Sequence, residues 1–183
     1  MQGEGGRQGE ASIFIRLSDC NLNCAFCDTD FSGEKTMDLQ EIINVIRSFT
    51  CSWIVWTGGE PTLQLTDKVI GFFKRKGYFQ AIESNGTQKL PTGLDYISIS
   101  PKGNYKDLIQ LNPNADEIRL PVKAGQEIPD TADFPKTKNY FLSPVFTLKK
   151  AETQRNIEYC VEYIRQHPQW RLSLQIHKLI GIE

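Results

Sequence analysis

The sequence predicts an α/β fold, an incomplete, TIM-like βα barrel with reduced helices. Strand-like apolar segments recur along the chain, and helix-length segments separate several of them, as in βα units around a parallel sheet. The length of 183 residues is short for a complete eight-stranded barrel, which typically needs about 250 residues. No linker or internal repeat divides the chain. We therefore expect residues 1–183 to form a single domain.

The predicted strands are short apolar segments that end at turn-forming residues. Between the later strands, residues 104–114 and 124–138 contain many turn-forming residues, and we expect long loops there. Parallel strands present their carboxyl ends at one edge of the sheet, so the loops that follow them should meet. The strands are expected at 12–18, 53–57, 79–83, 96–100, 117–122, 140–142 and 171–176.

Three segments have the apolar spacing of amphipathic helices. Asp38 and Glu41 match the pattern of a capping box, and apolar residues then recur at helical spacing as far as Phe49. The second predicted helix covers 67–76. The third covers 151–166, with Cys160 on its apolar face. Each of these helices would connect two strands and complete a βα unit.

The overall charge balance argues against a nucleic-acid partner. Lysine and arginine together number 21 and the acidic residues 22, for a net charge of −1. No segment reaches the roughly 18 apolar residues that a membrane span requires, and the first ten residues lack the apolar region of a signal peptide. We expect a cytoplasmic protein that acts on a small molecule and has no nucleic-acid or membrane partner.

Three of the five cysteines, Cys20, Cys24 and Cys27, fall within eight positions directly after the first predicted strand. The spacing C-x3-C-x2-C suits three thiolates on one iron–sulfur cluster, with one iron left open for another ligand. A disulfide framework would need an even, dispersed set. Zinc is the alternative, but it normally requires a fourth ligand. The other candidates are distant in sequence: Cys51, Cys160, His167 and His177.

Four polar segments follow predicted strands, at the edge where barrel enzymes place their chemistry. They are Thr57–Pro61 with the letters TGGEP, Glu83–Thr87, Ser100–Lys102 and Ser143–Phe146. A simple strand-terminating turn is the alternative interpretation for each of them. Their common position predicts a ring of ligand contacts.

The cysteine spacing together with GGEP resembles the radical S-adenosylmethionine superfamily. The resemblance implies a barrel of the radical SAM type. It also implies a 4Fe–4S cluster on Cys20, Cys24 and Cys27, with S-adenosylmethionine bound at the open iron. The residues that it assigns to S-adenosylmethionine lie at strand ends: Gly58, Gly59, Glu60, Ser84, Ser100, Pro101, Lys102, Ser143, Pro144, Val145 and Phe146.

Motifs from one end of the chain to the other narrow the resemblance to the 7-carboxy-7-deazaguanine synthase family. Members convert 6-carboxy-5,6,7,8-tetrahydropterin to 7-carboxy-7-deazaguanine, a ring contraction with loss of ammonia on the route to queuosine and related 7-deazapurines. The same reaction is therefore expected here. The motifs are Gln2–Gly5, Phe14–Leu17, the cysteines followed by Asp28-Thr29, TGGEP, Ser100–Lys102 and Leu174–Lys178.

The family resemblance also implies the substrate and Mg2+ sites. Thr29 offers a hard hydroxyl oxygen to Mg2+. Arg16, on the strand that leads into the cysteine loop, would bind the substrate carboxylate, although a structural ion pair is the alternative. Gln175 and His177 are expected on the final strand. The predicted substrate-binding residues are Met1, Gln2, Gly3, Glu4, Arg16, Thr57, Gln175, His177 and Glu183.

By the same resemblance, the electron donor is expected to be a flavodoxin or a ferredoxin-type protein. An open sheet edge favours a homodimer that covers it. Two other functions remain open on the sequence. One is a radical activase, which places a glycyl radical on a partner protein; the other is a non-catalytic iron–sulfur or zinc module that serves in binding.

Overall fold

The computed structural model describes residues 1–27, 29, 35–102 and 105–182, without the Lys106 side chain. Its centre is one sheet of seven parallel strands in sequential order. Strands β1 and β7 stand at the two ends and do not pair, so the sheet is open and the predicted partial barrel is confirmed. The strands are β1 (Ile13–Leu17), β2 (Trp53–Gly58), β3 (Phe79–Ser84), β4 (Tyr96–Ile99), β5 (Glu117–Val122), β6 (Tyr140–Pro144) and β7 (Trp170–Leu172).

The helices follow the strands as in βα units, and the three predicted from the sequence are confirmed. The first ends at Ile46, so Phe49 lies beyond it and is exposed. No helix in the described ranges is long and apolar enough to cross a bilayer. The helices are α1 (Leu39–Ile46), α2 (Asp67–Arg75), α3 (Tyr105–Leu111), α4 (Lys150–Gln166) and α5 (Ile176–Ile180).

Two predictions about the second half of the chain were wrong. Residues 104–114 are not all irregular, because α3 forms there and buries Leu108 in the core. The final strand does not reach residue 176: β7 ends at Leu172, and α5 begins at Ile176. Short apolar segments fit both periods, so the sequence alone could not separate helix from strand here. Gly181, with φ of 68°, ends α5 in the left-handed conformation.

The two faces of the sheet differ in chemistry. One face is apolar and packs with the helices into a single core that includes Ile54, Trp56 and Leu120 from strands, and Phe73 and Cys160 from helices. Burial of these side chains is the main stabilising contribution to the fold. The opposite face carries polar and charged residues, and it is the face that leads to the candidate site.

Five neighbouring strands each contribute one residue to a continuous row on this second face. Pairing aligns Arg16 with Thr57, and Ser98 with both Glu83 and Glu117. The Thr57 hydroxyl donates to Glu83 at 3.0 Å and joins the two halves. We call these five residues the polar row. The polar row also includes Arg119, which lies two residues after Glu117 on the same face of β5.

The first residues of the chain lie across the polar row. The Gln2 amide donates to Glu83 at 2.9 Å, and the Gly6 N–H donates to Glu117 at 2.6 Å. The Gly5 N–H reaches the Ser173 hydroxyl, just beyond β7, at 2.9 Å. The amino-terminal segment therefore covers the polar face of the sheet, while helices cover the apolar face.

Helix α1 shows how a local sequence signal stabilises this fold. Asp38 accepts the Glu41 N–H at 2.8 Å, and the Glu41 carboxylate accepts the Asp38 N–H at 2.7 Å, which confirms the predicted capping box. We expect Asp38→Ala to lower the free energy of unfolding by about 1 kcal/mol, measured by urea denaturation. Asp38→Asn should cost far less, since asparagine caps equally well. Equal losses in the two variants would contradict a capping role.

Candidate active site

The cysteine loop leaves the carboxyl end of β1 and carries three free thiols. Cys20 and Cys27 are exposed and Cys24 is half-buried; the Cys27 N–H donates to the Cys24 carbonyl at 3.0 Å. Within the described residues, no three cysteine, histidine or acidic side chains are close enough to hold a metal ion. The loop therefore presents the three predicted cluster ligands on one accessible turn, without gathering them at ligating distance.

The TGGEP segment packs directly against the start of the cysteine loop. The Gly59 N–H donates to the Leu17 carbonyl at 2.9 Å, and the Glu60 N–H donates to the Asp19 carbonyl at 2.8 Å. A Cβ on Gly58 would clash with Leu17, and one on Gly59 with the Asp19 carbonyl. The two glycines, of which Gly58 has φ of 114°, are thus required by the close approach of the chain's own backbone. Their predicted contact with S-adenosylmethionine stays a prediction.

Glu60 is fully buried and links the ends of β2 and β3. Its carboxylate accepts from the Ser84 hydroxyl at 2.8 Å, the Asn85 N–H at 2.7 Å and the Thr62 hydroxyl at 2.7 Å. The Thr62 N–H adds a fourth bond at 3.1 Å. Such charge-assisted bonds fix the carboxylate in place. Two predicted cofactor contacts, Glu60 and Ser84, are therefore bonded to each other.

A second set of bonds ties the cysteine loop to the loop after β3. The Asn85 side-chain amide donates to the Asn21 side-chain oxygen Oδ1 at 3.0 Å, and the Asn21 side-chain amide donates to the Thr87 hydroxyl at 2.7 Å. Below them the buried Asn112 amide donates to the Gly86 carbonyl at 3.0 Å. Asn85 and Thr87 belong to the predicted Glu83–Thr87 segment, whereas Asn21 and Asn112 were not among the predicted site residues. Asn21 lies directly after the first cysteine, so its bonds restrict the position of that end of the motif.

The other predicted cofactor contacts follow β4 and β6. The Lys102 ammonium donates to the Ser100 carbonyl and hydroxyl, both at 3.2 Å. Burial lowers the pKa of Lys102, and the nearby charges of Cys24 and Glu60 oppose that shift. The Ser143 hydroxyl is buried and has no hydrogen-bond partner among the described residues. An unpaired buried hydroxyl at this edge is suited to a polar group of a bound cofactor.

A dense ion-pair network occupies the polar row. Arg119, whose side chain is 5% exposed, contacts Glu4 at 2.5 Å, Glu83 at 2.6 Å and Glu117 at 2.9 Å. Burial acts to raise the pKa of the Glu83 carboxyl, but the Arg119 charge and the bonds from Gln2 and Thr57 outweigh it and leave that pKa below its usual range. Burial acts to lower the pKa of Arg119, but the three carboxylates outweigh it and raise that pKa. Glu83 and Arg119 are therefore both charged at neutral pH.

Glu117 and Arg119 were not among the predicted site residues. A usable signal was present, since β5 alternates charged and apolar residues whereas a strand buried on both faces in a parallel sheet is normally apolar throughout. The alternation places Glu117 and Arg119 on one face of the sheet. Glu83 shows the same signal between Ile82 and the end of β3.

Several predicted substrate-binding residues meet at this network. Gln2 and Thr57 bind Glu83, and Glu4 pairs with Arg119 instead of being a solvated surface charge. The His177 imidazole fills the space beside Gly3, where a Cβ would clash with Nδ1. His177 reaches this point from helix α5, not from the predicted final strand.

The remaining predicted residues lie around the network or outside the described residues. Arg16 is exposed, and no carboxylate of the described residues pairs with its guanidinium. The Thr29 hydroxyl donates to the Gly58 carbonyl at 3.4 Å. Met1 is 38% exposed, and Gln175 directly precedes α5. Glu183 lies outside the described residues, so its predicted contact stays untested.

Comparison with known proteins defines the class first. The family model described as the Radical SAM superfamily matches residues 15–168 of this chain. With a parallel open sheet and three free cysteines after β1, this match makes the chain a radical S-adenosylmethionine protein, a class that uses a 4Fe–4S cluster and S-adenosylmethionine. The resemblance inferred from the cysteine spacing and GGEP is confirmed.

Curated relatives then identify the family. The 7-carboxy-7-deazaguanine synthase of Haemophilus influenzae is 38% identical over all of this chain and 90% of its own length, and that of Bacteroides thetaiotaomicron is 37% identical over all of this chain and 93% of its own. The crystal structure of QueE from Escherichia coli superposes with a TM-score of 0.70 at 25% identity, covering 96% of this chain and 90% of that one. The chain belongs to the 7-carboxy-7-deazaguanine synthase family.

The cysteines differ in accessibility, which gives a chemical test of the site. Burial raises the pKa of the Cys160 thiol to about 12, so at pH 8 it stays protonated and out of reach. We expect iodoacetamide at pH 8 to modify Cys20 and Cys27 in cluster-free protein and to leave Cys160 intact, as read by peptide mass spectrometry. Unfolding in guanidinium should expose Cys160, and cluster loading should protect the loop cysteines. Modification of native Cys160 at the rate of Cys20 would contradict the packing described.

Proposed function

We propose that this chain catalyses the ring contraction of 6-carboxy-5,6,7,8-tetrahydropterin to 7-carboxy-7-deazaguanine, with loss of ammonia, in the biosynthesis of queuosine and other 7-deazapurines. One structural observation supports the proposal in addition to family membership. Gln2, from the amino-terminal segment, forms a hydrogen-bonded set on the polar face of the sheet with Thr57 and Glu83, which lie on β2 and β3. A polar, partly enclosed face of this kind suits a small heterocycle rich in N–H donors.

The chemistry of the polar row supports recognition of both ends of this substrate. The substrate carboxylate is an anion, and the exposed Arg16 guanidinium offers it a bidentate partner. The amino-pyrimidine edge carries N–H donors, and the Glu4 and Glu83 carboxylates accept such bonds. Gln2 and Thr57 hold Glu83, so that its oxygens keep a fixed direction. His177, beside Gly3, adds a second polar group at the same end.

The residues present are suited to the cofactors of the superfamily. Cys20, Cys24 and Cys27 are the proposed ligands of the 4Fe–4S cluster, and all three are free thiols. When bound, the cluster and S-adenosylmethionine would supply the radical chemistry that starts the reaction on the substrate. The buried Ser143 hydroxyl and the Lys102 ammonium offer hydrogen-bond donors to the polar end of S-adenosylmethionine. Ser100, Pro101, Pro144, Val145 and Phe146 belong to the same two turns.

Mg2+ is a further proposed cofactor, with Thr29 as its ligand from the chain. The Thr29 hydroxyl is a hard oxygen donor two residues after the last cysteine, and it lies near the end of β2 through its bond to Gly58. A single hydroxyl binds Mg2+ weakly, so substrate oxygens and water would complete the octahedral shell.

The wider setting of the enzyme is also a proposal. One sheet is built from strands across the whole chain, which supports a single domain over residues 1–183. The unpaired edges of β1 and β7 favour a homodimer that covers one of them. A flavodoxin or ferredoxin-type protein would supply the electron through the exposed cysteine loop, and a cytoplasmic location is expected. Sedimentation velocity of the purified protein tests the dimer.

The decisive experiment is an anaerobic assay of the reconstituted protein. Dithionite, S-adenosylmethionine, Mg2+ and 6-carboxytetrahydropterin are supplied, and products are followed by mass spectrometry. We expect 7-carboxy-7-deazaguanine. Cleavage of S-adenosylmethionine to 5′-deoxyadenosine without that product would retain the superfamily chemistry but reject the substrate. That result would favour the radical activase, whereas no cleavage at all would favour the non-catalytic module.

A further inference from the structure

Arg119 is the centre of the polar row and bonds four side chains at once. Besides its contacts with Glu4, Glu83 and Glu117, its Nε donates to the Ser98 hydroxyl at 2.8 Å. A different guanidinium nitrogen faces each carboxylate, so the planar group fixes the three acidic side chains relative to one another. An ammonium, which is a point charge, could not impose this arrangement.

The three carboxylates depend on Arg119 to different degrees. Glu117 also accepts from the Gly6 N–H at 2.6 Å, the Tyr96 hydroxyl at 2.8 Å and the Ser98 hydroxyl at 2.8 Å. Glu83 also accepts from Gln2 and Thr57. For the Glu4 carboxylate, Arg119 is the one ion-pair or hydrogen-bond partner seen among the described residues. Loss of Arg119 would therefore affect Glu4 most and Glu117 least.

The cluster contains more acidic than basic side chains. Three carboxylates face one guanidinium, and the side chain of Glu117 is 3% exposed while those of Glu4 and Glu83 are 19% and 21% exposed. Closely spaced like charges favour protonation of one another, and the Arg119 charge opposes this. Among the described residues, other charged or titratable groups near the cluster come from β1, β4, the turn after β4 and helix α5: Arg16, Tyr96, Lys102 and His177.

We propose that Arg119 is a positioning residue for substrate recognition, which holds the Glu4 and Glu83 carboxylates side by side as two hydrogen-bond acceptors for the donor-bearing edge of the substrate ring. This inference rests on the proposed function, since that function makes the substrate a pterin. A protonated carboxyl would present an O–H group where the substrate presents an N–H group, and one hydrogen bond would be lost. Arg119 itself needs no contact with the substrate.

The test compares substrate binding at two pH values in the absence of turnover. Holoenzyme with an oxidised cluster and S-adenosylmethionine, but no reductant, is titrated anaerobically with 6-carboxytetrahydropterin in a calorimeter at pH 6 and pH 8. The quantity of interest is the ratio of the two dissociation constants, pH 6 over pH 8. We expect Arg119→Gln to raise this ratio about tenfold over wild type, since protonation at pH 6 removes an acceptor. Any protonation of the substrate between pH 6 and pH 8 changes this ratio by the same factor in every variant, so it cancels when the ratios are compared.

Two matched variants separate charge from geometry. Arg119→Lys keeps the cation but loses the planar contacts, so its ratio should return to that of wild type while binding is weaker at both pH values. Glu117→Gln keeps Arg119 and removes one competing carboxylate, so its ratio should equal or fall below that of wild type. A merely structural role would weaken binding equally at both pH values in all three variants.

Each outcome decides a separate point. An Arg119→Gln ratio equal to that of wild type overturns the inference, and absence of binding by wild type overturns the proposed function instead. Should Arg119→Gln fail to fold, carbon-13 NMR of glutamate-labelled wild-type holoenzyme, with Glu83→Gln for assignment, reads the Glu83 carboxyl directly. An ionised Glu83 carboxylate from pH 8 to pH 6 supports the inference, and a protonated carboxyl at pH 6 overturns it.

Discussion

Replacing Cys24 with alanine is expected to abolish both the cleavage of S-adenosylmethionine and the formation of 7-carboxy-7-deazaguanine. Cys24 is the middle cysteine of the loop after β1 and is half-buried between two exposed thiols. A 4Fe–4S cluster held by three thiolates has no spare protein ligand, so loss of one leaves two irons without a protein anchor. The measurements are iron content, the visible absorption of the cluster and product formation in the anaerobic assay.

Cys51→Ala is the matched control. Cys51 is also a half-buried free cysteine, but its thiol donates to the Ala11 carbonyl at 3.0 Å, ahead of β1 and away from the motif. It should retain the iron content and the product yield of wild type. A Cys24→Ala protein that still binds a full cluster and turns over would reject the assignment of the three ligands.

Replacing Glu60 with alanine is expected to cause the largest loss of stability among single changes at the site, about 3 kcal/mol in the free energy of unfolding. The fully buried carboxylate accepts four hydrogen bonds, and its removal leaves the Asn85 N–H and the Ser84 and Thr62 groups without their acceptor. Buried donors without partners are costly because they have also lost water. Urea denaturation of the cluster-free protein measures the change without interference from cofactor binding.

Glu127→Ala provides the comparison for this change. Glu127 is an exposed glutamate in the loop after β5, and exposed substitutions of this kind usually change stability by less than about 0.5 kcal/mol. A similar stability for the Glu60 and Glu127 variants would show that the Glu60 carboxylate is not the link between β2 and β3. Glu60→Gln should fall between the two, because an amide retains one acceptor oxygen but presents an NH2 group to the other donors.

Local signals predicted most of the fold correctly. The Asp38 and Glu41 capping box, the apolar spacing of α2 and α4, and the turn-bounded strands each depend on residues close in sequence. The cysteine spacing also lies within eight positions. Such features do not require knowledge of how distant segments pair, and the structure confirms the helices and the parallel sheet.

The polar row could not be derived in the same way. Arg119 contacts Glu4, 115 positions away, and Gln2 contacts Glu83, 81 positions away. Strand register and the path of the amino-terminal segment determine these contacts, and neither is encoded in a local pattern. The start of α5 was placed on the predicted final strand for a related reason, since a few residues are compatible with both periods.

The path of the amino-terminal segment has a consequence for the order in which the protein acquires its structure. Gly5 precedes β1, yet its partner Ser173 lies 168 positions later in the chain. Contacts between residues this far apart in sequence form late. They also slow folding, because the long loop between the two residues must first lose conformational freedom. The contact that holds the amino-terminal segment between the polar row and the far edge of the sheet is therefore expected to form late, after the strands have paired. The substrate site would then be completed after the sheet that carries it.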